Sequence, residues 1–192
     1  MSPPSIDAGR AAADTQRWLE RAVIGLNLCP FAKAVHVKGQ VHLGVFGGDD
    51  LDALMAQLLA EAQALVDTDP AVRDTTLLVV PDALHDFLDF NDWVGRAERR
   101  LRKAGHAGVL QLASFHPAFQ FAGTEADDIG NATNRSPYPT LHLLREHSID
   151  RAVEAFPEAA EIFERNIDRL EALGPSGWRA LDVGPHPHQD SP

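Results

Sequence analysis

Apolar and polar positions change period along the chain, and those changes mark out its elements. Between about Ala11 and Leu28, the residues Trp18, Leu19, Ala22, Val23 and Leu26 recur at i, i+3, i+4 spacing. That predicts a helix, bounded by Pro30 because the residue before a proline is biased out of the helical region. Residues 34–37 and 41–46 alternate around Lys38-Gly39-Gln40 and predict a bent strand or a hairpin. Gly47-Gly48-Asp49-Asp50 then turns into a helix with Leu51, Leu54, Met55, Leu58, Leu59, Ala62 and Leu65 on one face. Asp49 or Asp50 is its expected N-cap.

Residues 75–80 are short, β-branched and unbroken, the pattern of a strand covered on both faces. Residues 91–103 return to the helical period and stop at Gly105, and 109–115 read as a further strand. From Thr140 onward the pattern predicts two helices, one running towards Phe156 and one over 157–173, with Pro157 at N1 and Gly174 at C′. Strands separated by helices of this length need crossover connections. The predicted fold class is therefore α/β: a small, mostly parallel sheet with βαβ crossovers, helices on its faces and a helical C-terminal third. The expected organisation is one domain over residues 11–178 between flexible tails at 1–10 and 179–192.

Composition narrows the classes of function. A chain of 192 residues and 20.9 kDa suits one such domain, and it buries enough surface to need no disulfide or structural metal. With 17 Lys+Arg against 28 Asp+Glu the net charge is −11. That argues against general nucleic-acid binding, which depends on basic residues displacing counterions from phosphate. A single cysteine, Cys29, excludes internal disulfides and multi-cysteine metal sites. No apolar run approaches the ~18 residues of a membrane span, and the first residues carry no signal pattern. The expectation is a cytoplasmic protein with no nucleic-acid or membrane partner, its oligomeric state left open.

Candidate chemistry gathers in one connection. Residues 116–139 hold no periodic element, and loops of that length in a compact domain are functional or disordered. This one is aromatic, and it carries His116, Asp127, Asp128, Asn131, Asn134, Arg135, Ser136 and the only tyrosine, Tyr138. On the helix predicted to follow, His142, Arg145 and Glu146 share a face. A parallel sheet would bring this loop, Gly47-Gly48-Asp49 and Pro81-Asp82 to one carboxyl edge, where open α/β sheets bind ligands.

Several segments also resemble a known family. They are Asn27-Leu28-Cys29-Pro30-Phe31-Ala32, Thr75-Thr76-Leu77, Phe115-His116-Pro117 and Asn134-Arg135-Ser136-Pro137-Tyr138-Pro139, the last followed by Leu141-His142-Leu143-Leu144-Arg145-Glu146. Over roughly Thr15 to Gly174 the chain resembles the domain-of-unknown-function family numbered 1415, whose members are bacterial and plastid proteins. The resemblance brings no activity, cofactor or catalytic residue with it, so the site is argued from the residues.

The leading expectation is a small-molecule enzyme with an anionic substrate. Arg135 and Arg145 have planar forks that suit a carboxylate or phosphate, Asn131, Asn134, Ser136 and Tyr138 would add contacts, and His116 or His142 would move protons. Cys29 is a candidate nucleophile. The bland reading of each is equally concrete: arginines stapling the loop, a histidine bonded to backbone, a small core cysteine. Two other classes stay open. One is a non-catalytic binder of a small anion. The other is a divalent-metal hydrolase built from His116, His142, Asp127, Asp128 and Glu146. No cofactor is assigned, because Gly-Gly-Asp-Asp lacks both phosphate-loop patterns. Charge distribution favours the loop, since residues 48–72 carry six acids and no Lys or Arg while 129–147 net +1. The basic run from Arg96 to Lys103 reads as a solvated helix end.

Overall fold

Four strands form one sheet in a computed structural model that describes residues 6–155 and 161–185. They are β1 (Val41–Val45), β2 (Thr75–Val79), β3 (Leu110–Phe115) and β4 (Thr140–Arg145), in the order β1-β2-β4-β3. β1 pairs parallel to β2, whereas β4 pairs antiparallel to both β2 and β3. The first three strands therefore point the same way, as their helical connections imply. β4 runs against them between β2 and β3, so the sheet is mixed, not mostly parallel.

β4 is the main departure from the sequence pattern, which placed a helix there. Leu141 and Leu143 are fully buried on one face of the sheet, while His142 turns to the other, in register with Leu77 and Ala113. A strand inside a sheet is covered on both sides, so its sequence is a short apolar run, and such a run does not separate strand from helix by period. In a strand, residues three apart lie on opposite faces. His142 and Arg145 therefore do not share a side, and Glu146 opens the following helix, α5 (Glu146–Ala155 in chain order).

A second correction concerns the expected hairpin. Residues Ala32–Val37 are a short helix, α2, and Gly39 at φ +69° turns the chain into β1. Only the 41–45 half of that alternating stretch meets a partner strand, β2.

Helices cover both faces. On one lie α3 (Leu51–Asp67) and α4 (Phe87–Leu101), each capped by an aspartate: Asp50 accepts from Asp52 and Ala53 N–H, and Asp86 from Leu88 and Asp89 N–H. Leu54, Leu58, Leu65, Phe90 and Trp93 pack there on Leu78, Leu141 and Leu143. The other face is covered by α1 (Ala8–Trp18), the π-helical turn Leu19–Ile24 that continues it, and the end of the described chain. Trp18 and Val23 meet Leu77, Trp178 and Val183. The last helix, α6 (Ile162–Ala180), puts Leu170 against Leu28 and Ala132. Gly174, at φ +67°, interrupts α6 where the sequence placed a C′ residue, but helical turns resume beyond it. The predicted helix start at Pro157 and the outer parts of both expected tails, residues 1–5 and 186–192, lie outside the described residues.

Arg145 ties the layers together. Its guanidinium donates to the carbonyls of Leu65, of Thr68 at 2.6 Å and of Arg73 at 3.0 Å, at the end of α3 and in the turn into β2. A cation on a helix's last carbonyls also complements its dipole. Arg145→Met should keep an unbranched apolar stem and lose these bonds. The expected cost is about 2–3 kcal/mol, read as a lower urea midpoint at unchanged slope; an unshifted midpoint would contradict this role.

Candidate functional site

The carboxyl edge of the sheet is drawn together by bonds from backbone N–H groups. The Asp82 carboxylate accepts Ile6 N–H at 2.8 Å and Gly48 N–H at 3.3 Å, joining the turn after β1 to the turn after β2. Val80 N–H donates to Pro139 O at 2.8 Å and brings in the end of the long loop. Beyond Asp82 the chain passes through Leu84 at φ +58°, a left-handed backbone that a leucine adopts only at a cost.

His116 holds that turn in place. Its Nδ1 accepts Ala118 N–H at 3.0 Å, so the proton sits on Nε2, which donates to Leu84 O at 3.0 Å. The ring is 1% exposed and lies 5.5 and 5.0 Å from the rings of Phe87 and Phe90. Burial pushes its pKa down, partly offset by the Leu84 carbonyl. With both nitrogens engaged, His116 is a neutral clamp on the turn.

The next residue, His85, faces a cleft of about 850 Å³. Asp49 and Leu51 line it from the start of α3, Ala83 and Leu84 from the turn, and Asp89, Asp92, Gly95, Arg96 and Arg99 from α4. Positions 89, 92, 96 and 99 fall on one side of that helix, opposite the buried Phe90, Val94, Ala97 and Leu101. Among the described residues the side chains of His85, Arg96 and Arg99 form no hydrogen bond or ion pair. The cleft therefore offers an imidazole and two guanidinium groups beside carboxylates. The sequence pattern puts Pro81-Asp82 at this edge but gives no signal for His85, and it makes Arg96 and Arg99 part of a solvated helix end. The available signal was a polar stripe on α4 following directly from a strand's carboxyl end.

The long loop uses its polar residues on itself. Arg135 donates from Nε to Phe119 O at 3.1 Å and from Nη2 to Ala126 O at 2.6 Å. Asn131, fully buried, accepts Phe121 N–H at 2.9 Å and donates to Glu125 O at 2.8 Å. Asn134 donates to Ser114 O and Ser136 to Tyr138 O. The Tyr138 hydroxyl donates to Asp14 at 2.7 Å; burial and that carboxylate push its pKa up. Asp128 caps the 3-10 turn Ile129–Asn134, and Asp127 is exposed.

The remaining candidates sit elsewhere. His142 lies on the α1 face, its Nε2 2.7 Å from Thr75 Oγ1 and its ring beside Phe115; burial lowers its pKa to about 4. His116 packs on Phe90, on the opposite face, so the two histidines do not converge. Among the described residues no group of three or more His, Cys, Asp or Glu is placed to hold a metal ion. Cys29 is half-buried beside the Trp18 cluster, and burial pushes its thiol pKa up despite N–H groups of Phe31 and Ala32 that pull it down. No helix among the described residues is long and apolar enough to cross a membrane.

Residues 10–180 match the family described as a protein of unknown function, DUF1415, and the chain belongs to that family. No curated protein and no solved structure matches it.

Two outcomes follow from these surroundings. The unfolded chain protonates His142 near the ordinary 6.5, whereas the folded chain resists until about 4. Unfolding free energy should fall as pH drops through that window, with His116 acting in the same direction. His142→Gln should flatten part of the slope in denaturation series across pH; an unchanged slope would show that burial of His142 does not set it. At neutral pH, iodoacetamide should modify Cys29 at least about tenfold more slowly than free cysteine, followed by mass spectrometry. A rate above that of free cysteine would reopen its role as a nucleophile.

Proposed function

We propose that this DUF1415 protein binds a small molecule carrying an anionic group in the cleft between the start of α3 and α4. Arg96 and Arg99 would hold the anion and His85 would contact the group beside it. The observation that carries this reading is the pair of guanidinium groups without partners among the described residues, in a cleft at the carboxyl edge of the sheet. The site expected at Arg135 and Arg145 moves accordingly, because both of those guanidinium groups are bonded to main-chain carbonyls.

A second reading, an enzyme in which His85 transfers a proton, draws on the turn before it. Leu84 holds a left-handed conformation worth roughly 1–3 kcal/mol of strain, and the buried His116 keeps it there. Strain maintained beside a cleft is characteristic of groups that must be presented accurately. Imidazole can both give and take a proton.

Isotope-labelled protein titrated with a panel of small carboxylates and phosphate monoesters tests the site. A binder should shift the amides of Leu84, His85 and the 95–99 turn. Arg96→Ala and Arg99→Ala should each weaken it about tenfold. Shifts confined to residues 129–147, or no response to the whole panel, would overturn the cleft reading. His85→Gln distinguishes the two forms: retained binding with lost turnover supports the enzyme, and equal turnover removes it.

A further inference from the structure

A row of aromatic rings crosses the surface beside the long loop. It starts at the buried His116 and passes to Phe87 at 5.5 Å, then to Phe119 at 5.1 Å. Phe121 follows at 4.9 Å and Phe163 at 5.2 Å. Three separate stretches of chain supply these rings: the start of α4, the loop and the start of α6. The row opens outward as it goes. Phe119 and Phe121 are half-buried and Phe163 is 50% exposed. Exposed aromatic surface joined into one strip is what binding sites offer, since each ring supplies apolar area at little cost in side-chain entropy.

The charge beside the strip is mainly negative. Outside the small-molecule cleft, the stretches that supply these rings carry six exposed carboxylates, those of Asp86, Glu125, Asp127, Asp128, Glu161 and Glu164, and Arg165 follows the last of them. Arg135, the cation of the loop, is engaged on the carbonyls of Phe119 and Ala126. Such a rim selects the occupant. Nucleic acid and anionic lipid headgroups are repelled by it. A second copy docking through the same patch would set these six carboxylates against six more, because a two-fold contact pairs a surface with itself.

We propose that this strip is a docking surface for a basic segment of another protein, in which an apolar side chain flanked by Lys or Arg seats on Phe121 and Phe163. The aromatic strip would supply the contact area, and the carboxylate rim would steer the segment and exclude acidic competitors. This surface is separate from the small-molecule cleft, and neither depends on the other.

A phage-displayed library of random dodecapeptides, panned on the folded protein and counter-selected on Phe163→Ala, tests it. Phe163 is exposed enough for that variant to fold, which an unchanged thermal midpoint would verify. The expected enrichment is for peptides with an aromatic or aliphatic residue between Lys or Arg. A synthetic peptide of the winning sequence should bind at least about tenfold more weakly to Phe163→Ala. It should also weaken with rising salt and with Glu164→Lys. No enrichment, enrichment of sequences without basic residues, or equal binding to Phe163→Ala would each overturn the proposal. So would concentration-dependent self-association abolished by Phe163→Ala in sedimentation, which would assign the strip to a second copy.

Discussion

Pairing of β4 on both its edges is the constraint on which the rest of the structure depends. Without it β2 and β3 would each present a row of unpaired N–H and C=O groups inside the packed layers, at a cost no side chain nearby could offset. Because β4 is antiparallel to β3, with Phe115 opposite Thr140, residues 116–139 leave and re-enter the sheet at the same edge. The long connection is thus the loop of an extended hairpin, and its length has to be folded back over that edge.

A connection of this kind must satisfy its own main chain, and that explains its composition. Asn131, Arg135 and Ser136 bond to main-chain atoms of the same loop, and Asn134 bonds to the strand before it. Tyr138 carries the closure across to α1 through Asp14, which also pairs with Arg17 at 2.9 Å. The density of polar groups that marks this loop in the sequence is the density needed to leave few buried carbonyls unpaired. The cationic excess of 129–147 has the same origin, since both arginines sit on carbonyl oxygens. His116 extends the arrangement by fixing the strained Leu84 turn, so the folded loop shapes the cleft without entering it.

Much of the scaffold was legible because its period was unambiguous. The 51–67 helix has a long apolar stripe and an aspartate cap, and 75–79 is a β-branched run too short for a helix. The edge at which Gly48, Asp82 and the loop meet was also legible, because it follows from the direction of the strands. Within that edge the functional emphasis shifted. The structure leaves His85, Arg96 and Arg99 facing open space and encloses His116, because α4 turns its polar stripe towards the cleft and its Phe90 towards the histidine.

By itself the sequence determined the local elements with clear periodicity, the family, and the acidic character of the chain, all properties of residues and their near neighbours. Tertiary structure decided that residues 140–145 form a strand and that Ala32–Val37 do not. It also decided which polar groups face one another and which face solvent. The reason is physical: a short apolar run takes the conformation its partners can hydrogen-bond, and an arginine or histidine takes the role left by the nearest unpaired carbonyl.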